Sequence, residues 1–168
     1  MRELSLHILD IAQNSLMAGA SLITILIEES PLRNSLRIEI TDNGKGIEAD
    51  RMQTVTDPFY TTRSSRKVGL GLSLFQAAAE RSGGELQITS RLGLGTTVTV
   101  VFPYDNIDRA PLGNMADTIL TLVMGNPGVD FCYRHLYEAR TFIFDTRQLG
   151  PYVSRSDLEI PMLAVKLR

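Results

Sequence analysis

One cysteine, Cys132, is all the thiol chemistry the chain carries. A lone cysteine excludes a disulfide framework and a cysteine-based zinc site within one chain, and it suits a reducing cytoplasm. An excess of one charge is missing as well. Lys and Arg number 17 against 19 Asp and Glu, a net charge of −2, so nothing draws the chain strongly to nucleic acid or to an anionic membrane. No apolar run approaches the length that crosses a bilayer. The opening residues, MRELSLHILD, carry Arg2, Glu3 and Asp10 and lack the long apolar centre and small-residue cleavage site of a signal peptide. Internal repeats and low-complexity tracts are lacking too. These absences leave a soluble cytoplasmic protein as the expectation, without a nucleic-acid or membrane partner.

What is present is ordinary globular material. The 168 residues are 43% hydrophobic and 21% charged, enough for one domain with a small appendage and a core that needs no staples. From Arg2 to Ala18 the apolar residues recur at helical spacing, with Leu4, Ile8, Ile11 and Ser15 on one stripe. His7, Asp10, Asn14 and Met17 share another face of that helix. SLITILIEES predicts a strand that is apolar on both faces for six residues. SLRIEIT alternates, with Leu36, Ile38 and Ile40 inward. Residues 48–55 allow a short helix, and a loop rich in small, hydroxyl and basic residues follows. A second helix is predicted from about Leu70 to Arg81, then two strands in ELQITS and TTVTVVF. Past Pro103 the texture changes: a linker, a helix in MADTILTLVMG, and a hairpin from VDFCYRHL and RTFIFDT. The boundaries read 1–103 for a main unit and 104–168 for an α+β annex.

Four short elements carry chemistry, in order: DIAQNSLMAGAS, DNGKGI, DPFYTTR with VGLGLSL, and GLGTT. Each alone has a bland reading. Asp-Asn-Gly is commonly a turn, in which Asp42 would serve as an Asx-turn cap. Gly-Leu-Gly is commonly closely packed backbone. Asp42 also stands where a strand ends and glycines open the backbone. A carboxylate there can accept a hydrogen bond from an adenine amino group, whereas the carbonyl of guanine would be repelled. Asn14 lies inside a helix, where asparagine is disfavoured, and its amide oxygen suits Mg²⁺. GLGL, Gly69 to Leu72, precedes a helix, whose N-terminus and glycines favour phosphate.

Together the four elements resemble the N, G1, F, G2 and G3 boxes of the GHKL ATPases, the superfamily of DNA gyrase, heat-shock chaperones, histidine kinases and mismatch-repair proteins. The resemblance covers residues 4–103. QNSLMAGAS is closest to the gyrase and mismatch-repair form, and DPFYTTR with VGLGLSL to the histidine-kinase form. It implies an α+β two-layer sandwich, the Bergerat-type ATP-binding fold with a mixed, mainly antiparallel sheet, and it implies ATP and Mg²⁺ as ligands. By resemblance Asp42 binds adenine, aided by Gly44, Gly46, Ile47 and Thr96, and Asn14 holds magnesium. Gly69, Leu70, Gly71 and Leu72 meet phosphate. Thr61, Thr62, Arg63 and Lys67 belong to the loop that closes over the nucleotide. Asp10 takes the place of the glutamate that activates water in the gyrase and chaperone branches. It is one methylene shorter, which bears on hydrolysis rather than on binding. His7 either assists Asp10 or forms a polar edge of the helix, and the second reading is preferred.

A complete histidine kinase also needs a helical hairpin with a phospho-accepting histidine. With the N box beginning near residue 7 and no acidic neighbour of that motif beside His135, such a hairpin and self-phosphorylation on histidine are not expected. The long transducer domains of gyrase and mismatch-repair proteins are not expected either. IDRAPLGNMADTILTL and FIFDTR resemble a small class of stand-alone bacterial ATP-binding proteins. Two readings follow. One is an ATPase or kinase acting slowly on water or on an unidentified protein partner. The other is a nucleotide-sensing module whose lid controls a protein contact. A homodimer stays open.

Overall fold

The computed structural model describes residues 3–55 and 70–149. Among these residues three helices lie on one face of a six-stranded sheet. The strands are β1 (Leu22–Ser30), β2 (Ser35–Asp42), β3 (Glu85–Arg91), β4 (Gly95–Pro103), β5 (Asp130–Tyr137) and β6 (Arg140–Asp145). The helices are α1 (Leu4–Met17), α2 (Leu70–Arg81) and α3 (Met115–Gly125). Strand order is β3-β4-β2-β1-β5-β6. Only the β1–β5 pairing is parallel; the others are antiparallel. The expected two-layer α+β sandwich with a mixed, mainly antiparallel sheet is therefore the observed one.

Alternation builds the sheet's inner face. Ile23, Ile25 and Ile27 of β1 and Leu36, Ile38 and Ile40 of β2 are each at most 1% exposed. They pack under Leu4, Ile8 and Ile11 of α1 and Phe75 of α2 in one continuous core. The residues after Pro103 enter the same core through Met115, Ile119, Leu122 and Val123 of α3 and Phe131 and Tyr133 of β5. The N-terminus of α1 has no side-chain cap. Instead the N–H groups of Leu4 and Ser5 donate to the carbonyls of Pro111 and Leu112, so the segment leading to α3 satisfies α1's first turn.

Two expectations are corrected here. β1 is not buried on both faces: Leu22, Thr24 and Leu26 are only half-buried, because the helices cover one side of the sheet. Residues 48–55 form turns rather than a helix. Their backbone bonds, Arg51 to Glu48 and Thr54 to Arg51, span three residues, and the Thr54 hydroxyl takes the Arg51 carbonyl that a continuing helix would need.

Candidate functional site

The C-terminal end of β2 delivers Asp42 to the inner face of the sheet, 8% exposed, beneath the C-terminal half of α1. Two donors hold its carboxylate. The Ser15 hydroxyl donates to Oδ2 at 2.6 Å, and the Gly44 N–H donates to Oδ1 at 2.9 Å. The second bond is the Asx turn that the bland reading named, so the turn and the buried acid coexist. The described residues saturate neither oxygen, since a carboxylate oxygen accepts about two bonds. Ser15 falls on the apolar stripe of α1, yet its hydroxyl orients the acid. A hydroxyl at a position otherwise filled by Leu and Ile was the available signal.

The Gly44–Ile47 turn is clamped from both sides. Lys45 donates its N–H to the Ala18 carbonyl at 2.9 Å, and Gly93 donates to the Lys45 carbonyl at 2.7 Å. Gly46 has φ +71, and a Cβ there would lie 2.1 Å from the Arg91 carbonyl oxygen. Gly95, with φ +116, leaves even less room: its Cβ would lie 1.9 Å from the Asp42 carbonyl oxygen. Only glycine allows these close approaches of backbone to backbone. Asn43 faces outward but ties the turn to β1, its Oδ1 accepting from the N–H groups of Ser21 and Leu22.

Thr96 of β4 is the register partner of Asp42 and shares its face. Its hydroxyl lies 2.8 Å from the Ser90 hydroxyl, which also accepts the Ile47 N–H at 2.8 Å and donates to the Gly95 carbonyl at 2.9 Å. Ser90, absent from the sequence-predicted set, thus joins both glycine turns.

On α1, Asp10 and Asn14 stand one turn apart and half-buried. Gly71 packs against Asp10, with the position of a Cβ only 3.1 Å from Asp10 Cβ. This brings Asp10 to the first turn of α2, where Leu70 is exposed and Gly71 and Leu72 are buried. His7 is not a polar edge. It is 2% exposed and stacks on Phe75, ring centroids 4.9 Å apart and nearly coplanar. Among the described residues its buried Nδ1 has no hydrogen-bond partner, and burial pushes its pKa down to about 4. Among the described residues no cluster of three or more His, Cys, Asp or Glu could hold a metal. On this face Asp10 and Asn14 both carry side-chain oxygens, and an amide oxygen suits a hard ion that takes most of its shell from water and phosphate. Thr61, Thr62, Arg63 and Lys67, expected in the loop over the nucleotide, and Gly69, expected at phosphate, lie outside the described residues.

The profile of the histidine kinase-, DNA gyrase B- and HSP90-like ATPases matches residues 1–106. The chain belongs to this family. Membership implies ATP binding. Over 106 residues it is 31% identical to the sensor histidine kinase ZraS of Escherichia coli, covering 63% of this chain and 23% of that one. Over 72 residues it is 42% identical to the histidine protein kinase DivJ of Caulobacter vibrioides, 40% of this chain and 12% of that one. The chain thus spans less than a quarter of these relatives. Among solved structures, the N-terminal domain of a DNA repair protein superposes with a TM-score of 0.63 at 18% identity, over 94% of this chain and 55% of the other. That likeness, which concerns the fold alone, extends beyond the family segment to the strands and helix after Pro103. Among the described residues no helix is long and apolar enough to cross a membrane.

Proposed function

We propose that the chain binds Mg²⁺-ATP and either hydrolyses it slowly or passes its γ-phosphate to a partner protein. The observation that carries the reading is the state of Asp42: a buried carboxylate, fixed by two donors, with accepting capacity left on both oxygens. A base bearing an exocyclic amino group is the ligand that such an acceptor selects. Asn14 would hold magnesium through its amide oxygen, where the ion neutralises phosphate charge. The residues at the start of α2, Leu70 to Leu72, would receive the phosphates, helped by the positive end of the helix dipole. Asp10, packed on Gly71, would act near those phosphates as the base. Gly44, Gly46 and Ile47 shape the floor of the base pocket, and Thr96 forms its wall. His135 is not offered as a phosphate acceptor, because both its ring nitrogens are engaged, one by Tyr133 and one by Glu29.

Calorimetric titration with ATP, ADP and GTP, with and without magnesium, tests the binding step. Preference for the adenine nucleotides is expected, and equal binding of GTP would sink the reading. Turnover is tested separately with Asp10→Asn. Loss of phosphate release assigns Asp10 as the base. If wild type binds ATP but releases and transfers no phosphate, the chain is a nucleotide sensor instead.

A further inference from the structure

Ser90 makes three polar contacts with one proton to give. Its Oγ lies 2.9 Å from the Gly95 carbonyl, 2.8 Å from the Ile47 nitrogen and 2.8 Å from Thr96 Oγ1. The Ile47 N–H can only donate, so Ser90 accepts there. The Gly95 carbonyl can only accept, and two oxygens at 2.9 Å without a proton between them repel, so Ser90 donates there. With its proton placed, Ser90 must accept from Thr96. The Thr96 proton is therefore directed at Ser90, away from Asp42, and what Thr96 has left to present is lone pairs. Asp42, directly across the strand pair, presents lone pairs as well. The Ser15 hydroxyl works in the same sense, since its proton goes to Asp42 Oδ2 at 2.6 Å rather than to the Ile11 carbonyl at 3.3 Å.

We propose that Ser90 is a positioning residue that fixes the proton of Thr96, makes the wall beside Asp42 hydrogen-bond accepting only, and so sharpens selection for a nucleobase with an exocyclic amino group over one with a carbonyl in its place. This rests on the adenine-binding reading of Asp42. Without Ser90 the Thr96 hydroxyl is free to turn its proton toward the base, and a 6-oxo purine gains a donor that the native wall denies it.

The test compares binding of ATP and inosine triphosphate by calorimetry in wild type, Ser90→Ala and Ser90→Thr. In Ser90→Ala the ratio of the two affinities is expected to fall about 10-fold, the worth of one hydrogen bond, with ATP weakened and inosine triphosphate unchanged or tighter. Ser90→Thr keeps a hydroxyl and should keep the ratio. A purely structural Ser90 would lower both affinities together, or only the melting temperature. A ratio within twofold of wild type in Ser90→Ala therefore overturns the proposal. Should Ser90→Ala fail to fold, Ser90→Cys, similar in size but weak as a donor and acceptor, replaces it with the same criterion. Wild type binding both nucleotides equally would instead overturn the adenine reading itself, an outcome that no Ser90 variant is needed to recognise.

Discussion

The sheet is polar at both ends of its inner face, and the two ends use polarity differently. At the end of Asp42, each polar group is held by neighbours yet keeps accepting capacity: Asp42 by Ser15 and Gly44, Thr96 by Ser90. About 20 Å away along β1, by strand rise, Glu29 meets His135 at 2.6 Å. The other His135 nitrogen meets the buried Tyr133 hydroxyl at 2.8 Å. There each partner satisfies the next. The hydrogen bond from His135 is the main cause holding the Glu29 carboxyl below its usual range, and burial with the Glu29 charge pushes Tyr133 up. A closed network of this kind ties strands together. An open one, fixed but unsaturated, is what a ligand can complete.

The largest effect is expected from Gly95→Ala. Positive φ and a Cβ 1.9 Å from the Asp42 carbonyl force β2 and β4 apart where Asp42 and Thr96 face each other. Strain and overpacking together should cost about 4 kcal/mol. Denaturant unfolding measures it, and a loss below about 1 kcal/mol would show that the turn yields easily.

The next compares the two histidines. His135 is bonded on both sides, whereas His7 has a buried Nδ1 with no partner among the described residues and resists protonation down to about pH 4. The unfolded chain protonates this residue near pH 6.5. Between those values the unfolded state binds more protons, so stability is full above about pH 6.5 and declines as pH falls toward about 4. The total is about 3 kcal/mol for the whole interval. His7→Phe, which can keep a ring against Phe75, should flatten that slope. An unchanged slope would assign the acid loss elsewhere.

Asp42→Asn follows in size and acts on binding more than on folding. Asparagine can keep the Gly44 bond through its oxygen, and its amide can donate to Ser15, whose proton then turns to the Ile11 carbonyl. The pocket then meets the base with a donor. ATP binding should weaken by about 1.5–3 kcal/mol, with the melting temperature little changed. Equal ATP affinity in calorimetry would remove Asp42 from the site.

Much of the architecture is legible because it is local. The alternation of β2 and the helical spacing of α1 and α2 show directly in residue order, and Asp42 stands where an alternating run meets glycines. What escapes is non-local. Nothing in VDFCYRHL announces that it pairs in parallel with β1, a strand about 100 residues earlier in sequence. Ser15 and Asp42 meet across 27 positions. Ser90 looks like any serine near a strand end, and its importance appears only once two turns converge on it. His7 was readable as a helix-face polar residue but not as a stacked one, since that depends on where Phe75 lands.

The smallest effect tests the closed end. In Glu29→Gln the amide oxygen still accepts from His135, so the geometry of the chain Glu29–His135–Tyr133 can persist with one charge-assisted bond made neutral. Loss of about 1 kcal/mol of stability is expected at neutral pH. The native Glu29 contribution is present above its ordinary carboxylate range and lost as pH falls through its lowered value, so the difference between variant and wild type should vanish in strong acid. ATP affinity should not move, because Glu29 sits at the far end of β1 from Asp42's partner Ile23. A change in ATP affinity without a change in stability would show that the two ends are coupled, and the distinction between a closed and an open network would then fail as a guide to where the ligand binds.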